Sequence, residues 1–104
     1  MELAWAVEDA GYWVIGPERS VEAAITTLGR FKVDLAVLDI GLGGETVFPV
    51  AHRLGATGIP FIFLTGFTSA ALPSEYLGRP LLQKPCELPV VISLIRRTLG
   101  LAAP

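Results

Sequence analysis

The sequence predicts a doubly wound α/β fold, in which helices cover both faces of a parallel sheet. Segments with the apolar periodicity of helices alternate along the chain with short apolar runs. Two of these runs, "LAVL" and "FIFL", are apolar throughout, as expected of strands that are buried on both faces. Helices and strands in alternating order favour a parallel sheet with crossover helices.

The N-terminal third of the chain is predicted to hold two helices and one strand. Residues 2–10 form a helix that ends at Gly11, and its apolar face consists of Leu3, Ala6, Val7 and Ala10. Residues 12–15 form a strand, which a Gly-Pro pair closes. Ser20 is a suitable N-cap for the second helix, whose apolar stripe consists of Val21, Ala24, Ile25 and Leu28.

The rest of the chain is predicted to continue the alternation. The further strands are residues 35–38, 61–64 and 81–82. The further helices are residues 46–54, with a proline in the first turn, and residues 88–99, which end at a glycine. The stretch 66–78 has little helical periodicity and is predicted to be irregular.

Composition limits the class of protein. The chain of 104 residues has the length of one domain, with residues 101–104 as a tail. Hydrophobic residues make up 52%, but no window approaches the roughly 18 uninterrupted apolar residues of a membrane span. An acidic N-terminus unlike a signal peptide and a single cysteine, Cys86, predict a cytoplasmic location. A net charge of −2 gives no electrostatic basis for binding nucleic acid or membranes.

Polar side chains follow three of the predicted strands at the point where each strand ends. Asp39 follows "LAVL", Thr65 follows "FIFL" and Lys84 follows "LLQ". Because the carboxyl ends of parallel strands meet at one edge of the sheet, we expect these groups to face a common cleft. Each residue alone has an ordinary interpretation, such as capping a turn or satisfying backbone groups. The three together favour a functional site.

These residues resemble the receiver domain of two-component response regulators, which has the flavodoxin-like form of this fold. "DLAVLDIGLGG" is similar to the strand and loop that carry the phospho-accepting aspartate. "PFIFLTGF" is similar to the strand that ends in the active-site threonine, and "LLQKP" to the strand that ends in a lysine and a cis proline. The resemblance covers nearly the whole chain.

The resemblance implies a bacterial regulatory domain rather than an enzyme. Asp39 would accept a phosphoryl group from a histidine kinase or a histidine phosphotransferase in a two-component system or phosphorelay. Thr65 would donate a hydrogen bond to that group, and Lys84 would supply a positive charge. A cis bond between Lys84 and Pro85 would aim the lysine into the site, and Gly66 would support it.

The resemblance also implies Mg²⁺, held by Asp39, the backbone carbonyl of Gly41 and an acid pair after the first strand. In this chain that strand and pair would fall before Met1, so we expect a receiver fold shortened by one N-terminal strand. Glu8 and Asp9 lie late in the first helix and are expected to face solvent. Because Mg²⁺ requires near-octahedral oxygen ligation, its binding is expected to be weakened.

A second departure concerns the region after Thr65. Leu81 stands where many receivers have an aromatic residue that moves on phosphorylation. "FLTGF" is similar in part to the "FATGUY" motif of stand-alone receivers. That similarity implies a single-domain regulator in which a flexible segment changes on phosphorylation.

Two alternatives stay open. The chain is either a working phosphoacceptor or a pseudo-receiver that serves as a protein-interaction module. If the first strand is absent, residues 12–15 and 35–38 lose their common neighbour. We then expect the chain to form a homodimer through these strands or to pair them directly with each other. Trp5 and Trp13 are assigned to the core or an interface, and His52, which lacks neighbouring metal ligands, to the surface.

Overall fold

The described residues form four α-helices, one 3₁₀ helix and five strands. The computed structural model describes residues 2–42, 45–66, 73–76, 78–84 and 87–102. The helices are α1 Glu2–Asp9, α2 Val21–Arg30, α3 Phe48–Thr57 and α4 Leu88–Ala102. The strands are β1 Ala36–Asp39, β2 Gly41–Leu42, β3 Glu45–Thr46, β4 Phe61–Thr65 and β5 Leu81–Gln83.

Within the part of the chain that the structure describes, the central sheet is parallel and has three strands in the order β1-β4-β5. Leu38 pairs with Phe63 across β1 and β4, and Phe63 pairs with Leu81 across β4 and β5. All three strands lie within one residue of the positions predicted from their apolar runs. Their parallel order requires crossover connections, which α3 and the region between β4 and β5 provide.

Helices cover both faces of this sheet, which confirms the doubly wound class. On one face, α2 and α3 pack over a core that includes Leu38, Phe61 and Phe63. On the other face, α1 and α4 pack over Ile62. Because successive side chains of a strand point to opposite faces, β4 contributes to both cores, and its first three residues are almost completely buried.

Local capping explains where the helices begin and end. The Ser20 hydroxyl accepts a hydrogen bond from the Ala23 N–H at 3.1 Å, so the predicted N-cap of α2 is confirmed. Helix α3 begins two residues later than predicted, because Thr46 belongs to a strand. It ends at Gly58, whose φ of 74° is the left-handed conformation that glycine adopts most readily.

The glycine-rich stretch after β1 forms a short hairpin. Strands β2 and β3 pair antiparallel, and Gly43 and Gly44 between them lie outside the described residues. The Val47 N–H donates to the Ile40 carbonyl at 2.9 Å and closes the base of the hairpin. The base of the hairpin, at Ile40, therefore directly follows Asp39 at the carboxyl edge of the main sheet.

The predicted strand at residues 12–15 is wrong. This segment has no strand hydrogen bonds, and β1 pairs only with β4 within the described part of the chain. The direct pairing of residues 12–15 with β1 is therefore also wrong. A strand needs a hydrogen-bonding neighbour as well as apolar residues, and the described residues supply none at this position.

Three further predictions can be compared with the structure. Helix α4 continues to Ala102, so the first two residues of the predicted tail are helical. Trp5 and Trp13 are 66% and 92% exposed and so do not belong to the core. His52 lies at the surface, as predicted. No helix in the described ranges is long and apolar enough to cross a membrane.

Candidate functional site

An ion pair joins the ends of the two outer strands of the main sheet. Asp39 is the last residue of β1, and Lys84 directly follows β5. The Lys84 Nζ donates to Asp39 Oδ2, across the end of β4 that separates the two strands. The Asp39 side chain is 42% exposed and the Lys84 side chain is 43% exposed. The carboxyl edge of the sheet thus presents an acid and a base to solvent, as the sequence predicted.

Thr65 lies at the same edge but beneath the surface. It is the last residue of β4, and it is completely buried. The backbone N–H of Lys84 donates to the Thr65 carbonyl at 2.6 Å, which fixes the two residues side by side. No buried side-chain nitrogen or oxygen in the described ranges lacks a hydrogen-bond partner. The burial of Thr65 differs from the expectation that all three groups line an open cleft.

The supporting residues are only partly described. Gly66 is exposed, and a Cβ there would contact none of the residues that the structure describes. Pro85, the predicted cis bond before it and Cys86 lie outside the described residues. The site side chains that the structure describes are therefore those of Asp39, Thr65 and Lys84.

The carbonyl of Gly41 is oriented by the hairpin. The Val47 N–H donates to the Ile40 carbonyl, so in this register the next pair along, Gly41 with Thr46, has no mutual hydrogen bonds. The Gly41 carbonyl is consequently directed away from β3. It is an oxygen donor two residues from Asp39 that the hairpin does not use.

The described residues do not make a magnesium site by themselves. Asp39 and the Gly41 carbonyl are two oxygen donors, whereas Mg²⁺ requires six in near-ideal octahedral geometry. No group of three or more His, Cys, Asp or Glu residues in the described ranges could hold a metal ion. Glu8 and Asp9 are exposed on α1, as predicted. The Lys84 ammonium is the cation that the structure places on Asp39.

An aromatic cluster that the sequence did not reveal lies between β4 and α3. Tyr76, in the 3₁₀ helix Ser74–Tyr76, stacks on Phe48 with ring centroids 5.5 Å apart and packs edge-on against Phe63. Its hydroxyl donates to the Phe48 carbonyl at 3.4 Å. Burial raises the pKa of Tyr76. The cluster holds the 3₁₀ helix Ser74–Tyr76 against α3, and no helical periodicity in the sequence marks this position.

Comparisons with known proteins find matches among solved structures. No protein-family model matches the sequence, and no curated protein does either. The receiver domain of the response regulator PhyR from Erythrobacter litoralis superposes with a TM-score of 0.81 and 25% identity, over 95% of this chain and 79% of that one. The response regulator PhyR from Brucella abortus matches with a TM-score of 0.79 and 27% identity, over 96% of this chain and 42% of that one.

A third similar structure is SdrG from Sphingomonas melonis Fr1. It has a TM-score of 0.76 and 32% identity, and the match covers 96% of this chain and 82% of SdrG. SdrG has also been solved in a BeF₃-activated conformation. The chain belongs to the family of response regulator receiver domains. Its role is that of a signal receiver, and it spans less than half of the Brucella PhyR.

Proposed function

We propose that this domain accepts a phosphoryl group on Asp39 in a two-component system or phosphorelay. The observation that carries the proposal is the Asp39 carboxylate, which is open to solvent at the end of β1 with an ammonium beside it. A nucleophile must be accessible to its phosphodonor, and charge that develops in transfer must be stabilised by nearby cations. Asp39 and Lys84 meet these two requirements.

The reaction forms one bond and breaks another. An oxygen of the Asp39 carboxylate attacks phosphorus, the P–N bond to the donor histidine breaks, and the imidazole leaves with the electron pair. The product is an acyl phosphate on Asp39. Lys84 then exchanges the carboxylate for the phosphoryl oxygens, on which the negative charge now lies.

We assign to Thr65 a role that follows this transfer. The bond from the Lys84 N–H to its carbonyl keeps the threonine adjacent to the lysine. Because the hydroxyl is buried, its hydrogen bond to the phosphoryl group requires a side-chain rotation. Such a rotation would transmit the state of Asp39 to the segment that follows β4.

The partners follow from the same chemistry. The phosphodonor is the phosphorylated histidine of a histidine kinase or histidine phosphotransferase in a bacterial cytoplasm. Mg²⁺ would contact Asp39, the Gly41 carbonyl and phosphoryl oxygens, and the small protein donor set predicts weak binding in the unphosphorylated domain.

A second function, that of a pseudo-receiver, is favoured by a specific observation. Lys84 already neutralises Asp39, and the described donors do not complete a metal site. A domain with these features could signal through protein contacts alone. The experiment below distinguishes the two functions.

Intact mass spectrometry after incubation with acetyl phosphate and Mg²⁺ tests the proposal. We expect one added phosphoryl group, which hydroxylamine removes because an acyl phosphate is a mixed anhydride that this nucleophile cleaves at the acyl carbon. Asp39→Asn should abolish the addition. Asp34→Asn, at an exposed aspartate shortly before β1, is the matched control and should leave it unchanged. An unmodified wild-type mass at saturating donor and metal would leave only the pseudo-receiver function.

A further inference from the structure

Strand β4 brings Thr65 to the end of an aromatic core. Successive side chains of a strand point to opposite faces, so Thr65 shares a face of β4 with Phe61 and Phe63. Those two rings lie in the core under α2 and α3, and Thr65 is completely buried. This core therefore ends directly beneath the carboxyl edge of the sheet, where Asp39 pairs with Leu64.

The 3₁₀ helix Ser74–Tyr76 is held on this core by one side chain. The first two residues of this helix are exposed, whereas Tyr76 is 6% exposed. Its ring centroid lies 5.5 Å from those of Phe48 and Phe63, and its hydroxyl makes one long hydrogen bond to the Phe48 carbonyl. Because a helix of three residues has little stability of its own, the position of this segment depends on the docking of Tyr76.

Phe48 is in turn connected to Asp39. It directly follows Val47, whose N–H donates to the Ile40 carbonyl at 2.9 Å. Ile40 follows Asp39 and donates its own N–H to a carbonyl of β4 at 3.3 Å. The surface on which Tyr76 docks is therefore connected to the site twice, through the base of the hairpin and through β4.

We propose that Tyr76 docks on Phe48 reversibly and that a phosphoryl group on Asp39 releases it. This release depends on the proposed function, since it requires phosphorylation of Asp39. A hydrogen bond from Thr65 to a phosphoryl oxygen requires rotation of that buried side chain. Because a close-packed core repacks between discrete arrangements rather than deforming gradually, the rotation disturbs the rings beside it. Tyr76 is the ring with the least backbone support, because Phe63 belongs to a paired strand and Phe48 to a ten-residue helix.

Fluorine NMR of the chain labelled with 3-fluorotyrosine tests the proposal directly. The sequence has two tyrosines, Tyr12 and Tyr76, and Tyr12→Phe assigns their resonances. After incubation with acetyl phosphate and Mg²⁺, we expect the Tyr76 resonance to move towards its position in the urea-unfolded chain. The Tyr12 resonance, from a ring in the core on the other face of the sheet, should not move. In Asp39→Asn neither resonance should move.

The intact mass of the same sample distinguishes failure of the release from failure of the phosphorylation. A phosphorylated chain whose Tyr76 resonance stays in place overturns the release of Tyr76 alone. An unmodified chain at saturating donor and metal overturns phosphorylation of Asp39, and the release with it.

A binding measurement distinguishes release from a purely structural role of Tyr76. Tyr76→Phe removes the hydrogen bond to the Phe48 carbonyl and so favours the released state. Because coupling between two equilibria is reciprocal, this variant should bind beryllofluoride with Mg²⁺, a non-covalent mimic of the phosphoryl group, about two- to fivefold more tightly in isothermal titration calorimetry. Tyr12→Phe, which removes the other tyrosine hydroxyl, should bind with the affinity of the wild type. Unchanged or weaker binding by Tyr76→Phe overturns the proposal.

Discussion

At the scale of single residues, the candidate site contains an exposed ion pair that contributes little to stability. Asp39 and Lys84 are both more than two-fifths exposed, and exposed pairs contribute about 0–1 kcal/mol because solvent screens them. The sequence predicted both residues correctly at the sheet edge, because strand ends can be located from apolar runs. It did not predict the burial of Thr65, which depends on the segments packed over β4.

Lys84→Ala tests separately what the lysine contributes to stability and what it contributes to phosphoryl transfer. We expect the free energy of unfolding to change by no more than about 0.5 kcal/mol, because the change removes an exposed charge. The rate of phosphorylation by acetyl phosphate should fall by about 100-fold, because a developing negative charge loses its cation. Urea unfolding and time-resolved mass spectrometry measure the two quantities.

Lys32→Ala, at an exposed lysine before β1, is the control and should change neither quantity. If Lys84→Ala unfolds the domain, the lysine has a structural role and the assignment of the site is wrong.

At the scale of elements, sequence patterns located those whose partners are local or fully buried. Strands β1, β4 and β5 were predicted within one residue, because a continuous apolar run specifies a strand buried on both faces. Residues 12–15 carry the same signal but form no strand, since a ladder also needs a neighbour. The hairpin of β2 and β3 was missed because two-residue strands have no readable periodicity.

Leu38→Ala tests how strongly β1 depends on its core face. Leu38 is 7% exposed and packs in the cluster under α2 and α3. Its truncation leaves a cavity and should lower the free energy of unfolding by about 2–5 kcal/mol. The control is Val90→Ala in α4, where the side chain is 47% exposed and the expected change is within about 0.5 kcal/mol. Equal effects of the two changes in urea unfolding would contradict the assignment of Leu38 to the core.

At the scale of the whole molecule, two apolar cores on opposite faces of one narrow sheet hold the fold together. The larger core, under α2 and α3, includes Phe61, Phe63 and Tyr76. Edge-on and stacked ring contacts connect them with Phe48. The phenol of Tyr76 places a titratable group in this core, so the ionisation of one side chain is coupled to unfolding of the domain.

This coupling predicts how the stability of the molecule depends on pH. Desolvation by burial, with a smaller contribution from the Glu75 carboxylate, raises the pKa of Tyr76 above its ordinary value of 10.0. Above pH 10 the unfolded chain therefore releases the phenol proton while the folded chain retains it. The contribution of Tyr76 to the free energy of unfolding is constant below pH 10 and decreases as the pH rises towards the folded-state pKa.

Tyr76→Phe isolates this effect, because every other titratable group is common to both proteins. Near neutral pH the variant should be less stable by at most about 1 kcal/mol, since it loses the hydrogen bond to the Phe48 carbonyl. As the pH rises beyond 10 the difference should shrink, because only the wild type pays for ionisation. Urea unfolding of both proteins between pH 7 and pH 11, with return to pH 8 to check reversibility, measures the difference. Parallel stability curves over this range would show that Tyr76 is not coupled to folding.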